Sequence, residues 1–498
     1  MQRTVLTALV AAAVCQFVPA AQAAPATPEQ ARALETQFKS WMAGLLGPQV
    51  RLGDRPVQFT PEGDGYRMSV PIPVTQDNKP ATLSISAQAK PLDNGRWEIS
   101  GLRLPVPARF TVMMPKPPAE GRKEPGPNVP VNYNFTVGSQ DGSGIWDTTY
   151  RTPSTLQTSL TDLKSETSGP GIQQSTRLAR GTTTTVVRPA GGDRVDVVSD
   201  STLENYNVTS KAGDTEEVQV SLGTARGSTT LTGMSRERAT QGAQALAQMI
   251  STSMSAPPAG SAAGAKPPVN LAALRALLQA MDGVASEFTV AQTWNDVGVT
   301  YGGIGGKAAQ FTMGLGAKSP DGILQAAMDL GLDGLALPDL GLGPMADLIP
   351  RRIALRPVVS NVATKDLLDM LRASTDTKDG NPPPAAVNKL FSRGGINTGL
   401  ESFTVDVGGT VFAGNAKVQV ASPSQVSGTG QITATNFDAL VAKANTIPQL
   451  QQALPAFTFA KGLARNENNR LVWDVTYQGG RVTVNGQDMS AMMGGGRK

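Results

Sequence analysis

Histidine is absent from this chain of 498 residues, and cysteine occurs only once, at Cys15. Without histidine the chain cannot form Ser-His-Asp or Cys-His catalytic arrangements, and it lacks the ligand of most zinc sites. It also contains neither the G-x-S-x-G nor the S-x-x-K motif of common serine acyl-transfer enzymes. The commonest nucleophilic and acid-base enzymes are therefore excluded. We predict a protein that is not an enzyme, with no catalytic, cofactor-binding or metal-binding residues.

Aromatic residues and clustered charges are also scarce. Phe, Trp and Tyr make up 5% of the chain, and its net charge of +4 is spread without a dense basic tract. Nucleic-acid binding needs a clustered basic surface, preferably with stacking aromatics. We therefore predict no nucleic-acid partner.

The first residues have the pattern of a secretory signal peptide. Arg3 precedes an apolar stretch from Val5 to Val18, and residues 21–23 form an A-x-A cleavage pattern. We predict that residues 1–23 are a signal peptide and that the mature chain is exported to the periplasm, where it can associate peripherally with a membrane. Lipid attachment at Cys15 is the alternative, but a valine stands before it where lipoprotein signals place a small residue.

Residues 24–114 are predicted to form a helix followed by a β-meander. Thr27 is placed as N-cap, with Pro28 at the first helical position and Gln30 completing a capping box. An apolar stripe at helical spacing is expected to pack against the sheet, and it contains Leu34, Phe38, Trp41 and Leu45. Four strands are predicted next, at residues 66–74, 81–89, 96–104 and 109–114.

The rest of the chain alternates between β-rich and helical patterns. The β-rich segments are residues 131–234 and a C-terminal domain at 286–490. Between them, residues 235–285 carry a helical pair around a low-complexity, disordered loop. The disordered loop lies at residues 255–268. A Pro-rich linker or loop is predicted at residues 115–130, and a flexible tail at residues 491–498. These patterns predict an α+β fold that is predominantly β, with extended curved antiparallel sheets, an N-terminal helix and a central helical pair.

Two short motifs approach known ligand loops without completing them. Gly306-Lys307 resembles the end of a phosphate-binding loop, but Tyr301 and Ala308 replace a required glycine and a required hydroxyl. Residues 329–335, DLGLDGL, resemble a calcium loop in which Gly331 lacks a ligand side chain. We predict a glycine-rich hairpin at the first motif and no calcium site at the second.

Carboxylate chemistry survives these exclusions, because a glycan hydrolase needs only two acids. Adjacent strand residues face opposite ways, so we expect each tryptophan near an acid to point inward and the acid outward. The pairs in question are Trp97-Glu98, Trp146-Asp147, Trp294 with Asp296, and Trp473-Asp474.

The C-terminal third shows the order GTGQITATNFDALVAKA, then TIPQLQQAL, then NRLVWDVTYQGGRVTVNGQDM. This strand-helix-strand order with a terminal hairpin resembles exported bacterial proteins of the YdgA type and, more distantly, AsmA-like envelope proteins, over residues 286–490. The resemblance implies a periplasmic, β-rich protein and, for AsmA-like relatives, a role in lipid traffic or envelope integrity. It implies no catalytic residue.

Three functions are compatible with these observations. The leading hypothesis is a non-enzymatic envelope protein that holds lipid or another apolar ligand on a curved sheet, because apolar residues alternate along many strands and few helices are available to cover them. The second is a structural or protein-interaction module with an envelope protein as partner. The third is a carboxylate-dependent glycan hydrolase.

The last predicted strands are joined by two turns. Leu471, Trp473, Val475 and Tyr477 share a face that is expected to be core, and Gly479-Gly480 forms a tight turn. Asn485-Gly486 then forms a second turn, which we interpret as closing the sheet edge rather than as a binding site.

Overall fold

The computed structural model divides the chain into two compact units. The first comprises Met1–Ala285 with Thr300–Gly303, and the second comprises Ser286–Val299 with Ile304–Lys498. Strands dominate both, so the prediction of a predominantly β fold is confirmed. The residues that the structure describes are 26–46, 57–76, 79–115, 128–147, 152–213, 215–254, 270–338, 341, 343–377 and 380–489.

The first unit has one helix before its strands and two after them. Its helices are α1 (Pro28–Leu46), α2 (Arg236–Met254) and α3 (Leu271–Met281). Its strands are β1 (Gln58–Glu62), β2 (Gly65–Gln76), β3 (Lys79–Pro91), β4 (Arg96–Arg103), β5 (Ala108–Pro115), β6 (Asn128–Thr136), β7 (Ser139–Asp147), β8 (Thr152–Gly169), β9 (Ile172–Gly191), β10 (Arg194–Ala212) and β11 (Val218–Ser235).

Seven strands of this unit pair in a closed circuit. The antiparallel ladder runs from β2 through β3, β4 and β7 to β8. It returns from β8 through β6 and β5 to β2, where Thr75 pairs with Thr111. Strand β8 is long enough to pair with β7 along its first part and with β6 along its second. Strands β9, β10 and β11 are not part of this circuit. They form a meander of long strands that continues from β8.

Helix α1 packs against the first strands of this circuit. Leu34 and Phe38 are buried with Trp97 and Trp146, which lie directly opposite each other on β4 and β7. Thr27 Oγ1 accepts a hydrogen bond from the Gln30 amide. The Gln30 side chain does not complete the predicted capping box, because its Oε1 accepts from the Tyr66 hydroxyl at 2.6 Å instead. A tertiary partner has replaced the local one. The side chains of Trp41 and Leu45 lie outside the described residues.

The predicted Pro-rich linker connects neighbouring strands rather than separate domains. Strand β5 ends at Pro115 and strand β6 begins at Asn128, so residues 115 and 128–130 of the predicted linker or loop belong to strands. Strands β5 and β6 pair along their whole length, from Ala108 with Phe135 to Pro115 with Asn128. The ladder therefore continues across the connection, whose residues 116–127 lie outside the described residues.

A row of irregular residues crosses the long strands β8–β11. Asp162 and Asn205 have left-handed backbone conformations, with φ of 50° and 51°. The antiparallel pairing omits these two residues and also Ala179 and Gly223. Beyond them the strands pair again in the same register. A residue in the left-handed region changes where the following side chains point, so strict alternation does not hold across this row.

Helices α2 and α3 have side-chain caps at their first turns. Ser235 Oγ accepts from the Arg238 amide, and Asn270 Oδ1 accepts from the Ala273 amide at 3.0 Å. Both bonds satisfy an amide that has no partner inside its helix. The predicted disordered loop at 255–268 lies outside the described residues, as does the predicted tail at 491–498.

The second unit contains the remaining strands and four α-helices of the described residues. Its helices are α4 (Thr364–Ser374), α5 (Pro384–Lys389), α6 (Phe437–Asn445) and α7 (Leu454–Leu463). Its strands are β12 (Glu287–Tyr301), of which the last two residues belong to the first unit, β13 (Ile304–Lys318), β14 (Ile323–Asp333), β15 (Arg352–Ala363), β16 (Ile396–Val407), β17 (Thr410–Ser422), β18 (Gln425–Thr435), β19 (Arg465–Glu467), β20 (Arg470–Gln478), β21 (Arg481–Val484) and β22 (Gln487–Asp488).

An antiparallel meander of seven strands forms the centre of this unit. It follows chain order from β13 to β18 and ends with β20. After β18 the chain forms α6, a 3-10 turn at Pro448–Ala453 and then α7, which ends at Leu463. Among the described residues, no helix has the length and apolar character needed to cross a membrane.

Candidate functional site: an apolar sheet face

The register of the seven-stranded meander aligns apolar side chains in rows. Directly paired residues on neighbouring strands share a face, so each row crosses the sheet on one side. One row contains Phe311, Leu332, Ile353, Val405, Phe412, Ala434 and Leu471; the next contains Met313, Leu330, Leu355, Phe403, Gly414, Ile432 and Trp473. A third contains Leu315, Met328, Pro357, Leu400, Ala416, Gly430 and Val475. We call the side formed by these rows the apolar face.

The opposite side of the same meander is polar and held by ion pairs. Arg356 Nη1 lies 2.6 Å from Asp329 Oδ1, and its Nε lies 2.9 Å from Glu401 Oε2, which joins three strands. Further along, Gln431 Nε2 donates to Asp474 Oδ1 at 2.9 Å. Charged side chains therefore lie on one side of the sheet and apolar side chains on the other. The apolar side has to be shielded from water by packing against another element or a ligand.

Helices α6 and α7 cover only one end of the apolar face. Phe437 makes edge-on contacts with Phe412, Phe457 and Trp473, and the Trp473 indole N–H donates to the Ala460 carbonyl at 2.8 Å. Away from the helices the side chains are exposed: Leu315 by 44%, Met328 by 38% and Ile432 by 36%. Large exposed apolar patches on soluble proteins mark interaction sites.

The long strands of the first unit have an apolar cluster of their own. A Cβ placed on Gly181 would lie 3.2 Å from Leu178 Cδ2 and 3.5 Å from both Leu160 Cγ and Leu203 Cδ2. These leucines therefore share one side, although Leu178 and Gly181 are three residues apart. The same spacing of three occurs across the irregular row in every strand: Leu160 and Leu163, Leu178 and Gly181, Leu203 and Tyr206, Leu222 and Ala225. A search for strictly alternating apolar residues misses these pairs, whereas the repeated spacing of three residues identifies them.

The incomplete ligand motifs form ordinary strands. Gly306 and Lys307 lie in β13, where Lys307 forms a β-bridge with Ala336. Gly302 and Gly303, both with positive φ, separate β12 from β13, and Gln310 Nε2 donates to Asn295 Oδ1 at 3.0 Å across the two strands, as expected for the predicted glycine-rich hairpin. Asp329 lies within β14 and binds Arg356, so no calcium loop forms there.

Two of the acids near tryptophans, Glu98 and Asp147, lie on the same side of β4 and β7, opposite to Trp97 and Trp146, and neither lines a cleft in the described part of the first unit. Trp97 is fully buried while Glu98 is exposed, as predicted for adjacent strand residues. Two clefts in the described part of the first unit have volumes of about 140 and 310 Å³. Glu166 is the one carboxylate lining the larger, and the smaller is lined by none. Neither cleft supplies the acid pair that glycan hydrolysis requires.

Asn485 closes the outer edge of β20. Strand β19 pairs with the first residues of β20, and β21 pairs with its last ones. Between them, Asn485 Oδ1 accepts from the Asp474 amide at 2.8 Å, and Nδ2 donates to the Val472 and Leu463 carbonyls at 3.0 and 2.7 Å. The Asn485 turn is therefore architecture, in agreement with the sequence interpretation. Tyr477, however, is 39% exposed, so the face predicted as core is core only beneath the helices.

Asp474 makes the stability of this edge depend on pH. The Gln431 amide and the Arg465 guanidinium lower the pKa of its carboxyl. A carboxyl whose folded-state pKa is lowered adds stability that is present at neutral pH and lost as pH falls through that pKa. We expect Asp474→Asn to weaken the acid dependence of unfolding, measured by urea titration from about pH 7 to about pH 3. Asp321→Asn, in an exposed turn, is the control; an equal change there would contradict the assignment.

Comparisons with known proteins do not assign this geometry. No protein family, curated protein or solved structure matches the chain. The apolar face differs from an ordinary solvated sheet because apolar side chains are exposed along its rows.

Proposed function

We propose that the protein is an exported, non-enzymatic envelope protein that binds lipid acyl chains on its curved antiparallel sheets. The apolar face of the second unit carries this proposal, because its rows of hydrocarbon extend beyond the helices that cover one end. The signal-peptide pattern of residues 1–23 supports a periplasmic location. The resemblance to YdgA-type and AsmA-like proteins supports a role in lipid traffic or envelope integrity.

The composition of the apolar face fits an acyl chain better than a polar small molecule. Sites for such molecules combine apolar walls with a few polar groups that fix orientation. The three rows contain neither a charged residue nor a side-chain amide or hydroxyl. An acyl chain needs no hydrogen bond, and its binding is driven by the apolar area removed from water, at about 25 cal/mol per Å². Leucine and methionine side chains also adapt to chains of different shape.

Lipid retention by the purified protein tests the proposal. The full chain is purified from cells that export it, extracted with organic solvent and examined by mass spectrometry. We expect phospholipid in the wild-type extract. The double variant Leu315→Asp and Met328→Asp places charges on two directly opposed residues of the apolar face and should reduce lipid about tenfold. Both side chains are exposed, so the fold should tolerate the change.

Leu371→Asp provides the matched control. Leu371 is 38% exposed on α4, outside the three rows, and its substitution should leave the retained lipid unchanged. If the extract of wild-type protein contains no lipid, the proposal is wrong. In-cell crosslinking from position 315 separates it from the interaction-module alternative: adducts with lipid support lipid binding, and a recurrent protein adduct supports the module.

A further inference from the structure

A polar cleft lies on one side of strands β5, β6 and β8 in the first unit. It has a volume of about 310 Å³ and is lined by eight residues of these three strands. That volume is at the lower end of the range of small-molecule sites, which is about 300–1,000 Å³. The cleft therefore has room for a small ligand, and the chemistry of its lining determines which kind.

The register places six polar lining residues on the same side of the sheet. They form two rows of directly paired residues, Arg109–Asn134–Glu166 and Thr111–Asn132–Ser168. Side-chain contacts agree with this placement. Asn134 Nδ2 donates to Glu166 Oε2 at 3.4 Å, and Thr111 Oγ1 donates to Asn132 Oδ1 at 2.9 Å. The other two lining residues, Phe110 and Tyr133, alternate with these rows, and their rings stack on the opposite side with centroids 5.1 Å apart.

Opposite charges border the cleft without meeting. Arg109 on β5 and Glu166 on β8 are both exposed, and one strand separates them. Neither side chain forms an ion pair with the described residues. The backbones of β5 and β8 stand two strand spacings apart, about 10 Å. A charge-assisted hydrogen bond at each border takes about 2.8 Å, which leaves about 4 Å between the charged groups of a bound ligand.

The residue between the two charges has an acceptor without a partner. Asn134 Oδ1 is buried and accepts no hydrogen bond. A buried acceptor without a partner is destabilising, and a ligand N–H group would satisfy it. A primary ammonium group has three N–H donors, enough for the Glu166 carboxylate and Asn134 Oδ1 together, whereas a quaternary ammonium group has none. The lining therefore favours a primary ammonium group on the side of Glu166.

We infer that this cleft binds a short zwitterion, with its anionic group at Arg109 and its primary ammonium group at Glu166 and Asn134. The order of charges across the cleft carries the inference, because a ligand with a single charge would leave one border unpaired. Free amino acids and the phosphoethanolamine group share this chemistry. The cleft lies in the first unit, so the inference goes beyond the proposed function and does not depend on the apolar face.

Isothermal titration calorimetry of the full chain tests the inference with four probes. Alanine and O-phosphoethanolamine each carry an anionic group and a primary ammonium group. Phosphocholine carries both charges but has no N–H donor, and inorganic phosphate lacks the cation. We expect at least one of the first two probes to bind at least tenfold more tightly than phosphocholine and phosphate. Which of the two binds distinguishes an amino acid from a phosphoethanolamine group as the ligand.

Single substitutions at the two borders test the assigned residues. Arg109→Gln and Glu166→Gln each remove one charge from an exposed side chain and should weaken binding at least tenfold. Arg177→Gln is the matched control. Arg177 is exposed on the same side of the sheet, one row away from Glu166, and does not line the cleft. Its substitution changes the net charge by the same amount as Arg109→Gln and should leave binding unchanged.

Four results would overturn the inference. The first is that wild-type protein binds neither alanine nor O-phosphoethanolamine. The second is equal binding of phosphocholine, because the ammonium donors would then have no role. The third is equal binding of phosphate, which would reduce the site to an anion contact at Arg109. The fourth is an equal loss with Arg177→Gln, because the effect would then follow net charge and not the cleft. If a variant does not fold, the four probes on wild-type protein still decide.

Discussion

Replacing Asn485 with aspartate is expected to lower the free energy of unfolding of the second unit by about 3 kcal/mol. The carboxylate can still accept from the Asp474 amide, but it cannot donate to the Leu463 and Val472 carbonyls. Two carbonyl oxygens then face a negative charge, each at a cost of about 1–3 kcal/mol. For a domain of this size the melting temperature should fall by about 6–12 °C, as measured by circular dichroism.

The second Asn-Gly turn of the chain supplies a control with the same chemistry. Asn94 precedes Gly95 in an exposed turn, also with a positive φ, of 60°. Asn94→Asp should therefore change the melting temperature by at most a degree or two. If both variants lose the same stability, the turn conformation and not the side-chain bonds of Asn485 would be responsible, and the edge-closing role would be wrong.

Trp97→Ala should destabilise the first unit by about 3–5 kcal/mol, the largest effect we expect from any single truncation. Trp97 is fully buried between helix α1 and the closed circuit of strands, within 6.0 Å of the Tyr66 ring centroid and opposite Trp146. Truncation leaves a cavity whose walls belong to several elements and cannot collapse together. Urea unfolding followed by far-ultraviolet circular dichroism measures the loss.

Trp294→Ala provides the comparison. Trp294 is half-buried and stacks on Phe311 with centroids 4.9 Å apart. Because water already reaches part of the ring, its removal should cost less than half as much as that of Trp97. Equal losses would mean that burial in the first unit does not determine the contribution of Trp97.

Local signals in the sequence were sufficient to place many elements. The predicted strands at 66–74 and 81–89 lie within β2 and β3, because alternating side chains and flanking Gly, Asn and Pro residues act over a few residues. Gly479-Gly480 forms the predicted tight turn, with φ of 57° and 82° that glycine adopts without strain.

Long-range partners could not be predicted in the same way. The rows of the apolar face depend on the register between strands that are distant in sequence, and a shift of one residue would turn any strand over. The partner of Asn485 at Leu463 depends on where α7 ends, 22 residues earlier. Gln30 shows the same limit, because Tyr66 competes for its side chain only once the sheet has formed. The sequence therefore indicated an apolar side without indicating which residues meet on it.

The irregular row across β8–β11 has a consequence for how this sheet can change length. Deleting Asp162 alone would move Leu163 opposite Ala179, which shifts the register between β8 and β9 by one residue beyond that point. Deleting Asp162, Ala179, Asn205 and Gly223 together would restore an uninterrupted ladder and keep the leucine pairs on one side. The four residues thus behave as one inserted row. Strands of this meander can gain or lose a residue there only as a set, which couples insertions and deletions at four separate places in the chain.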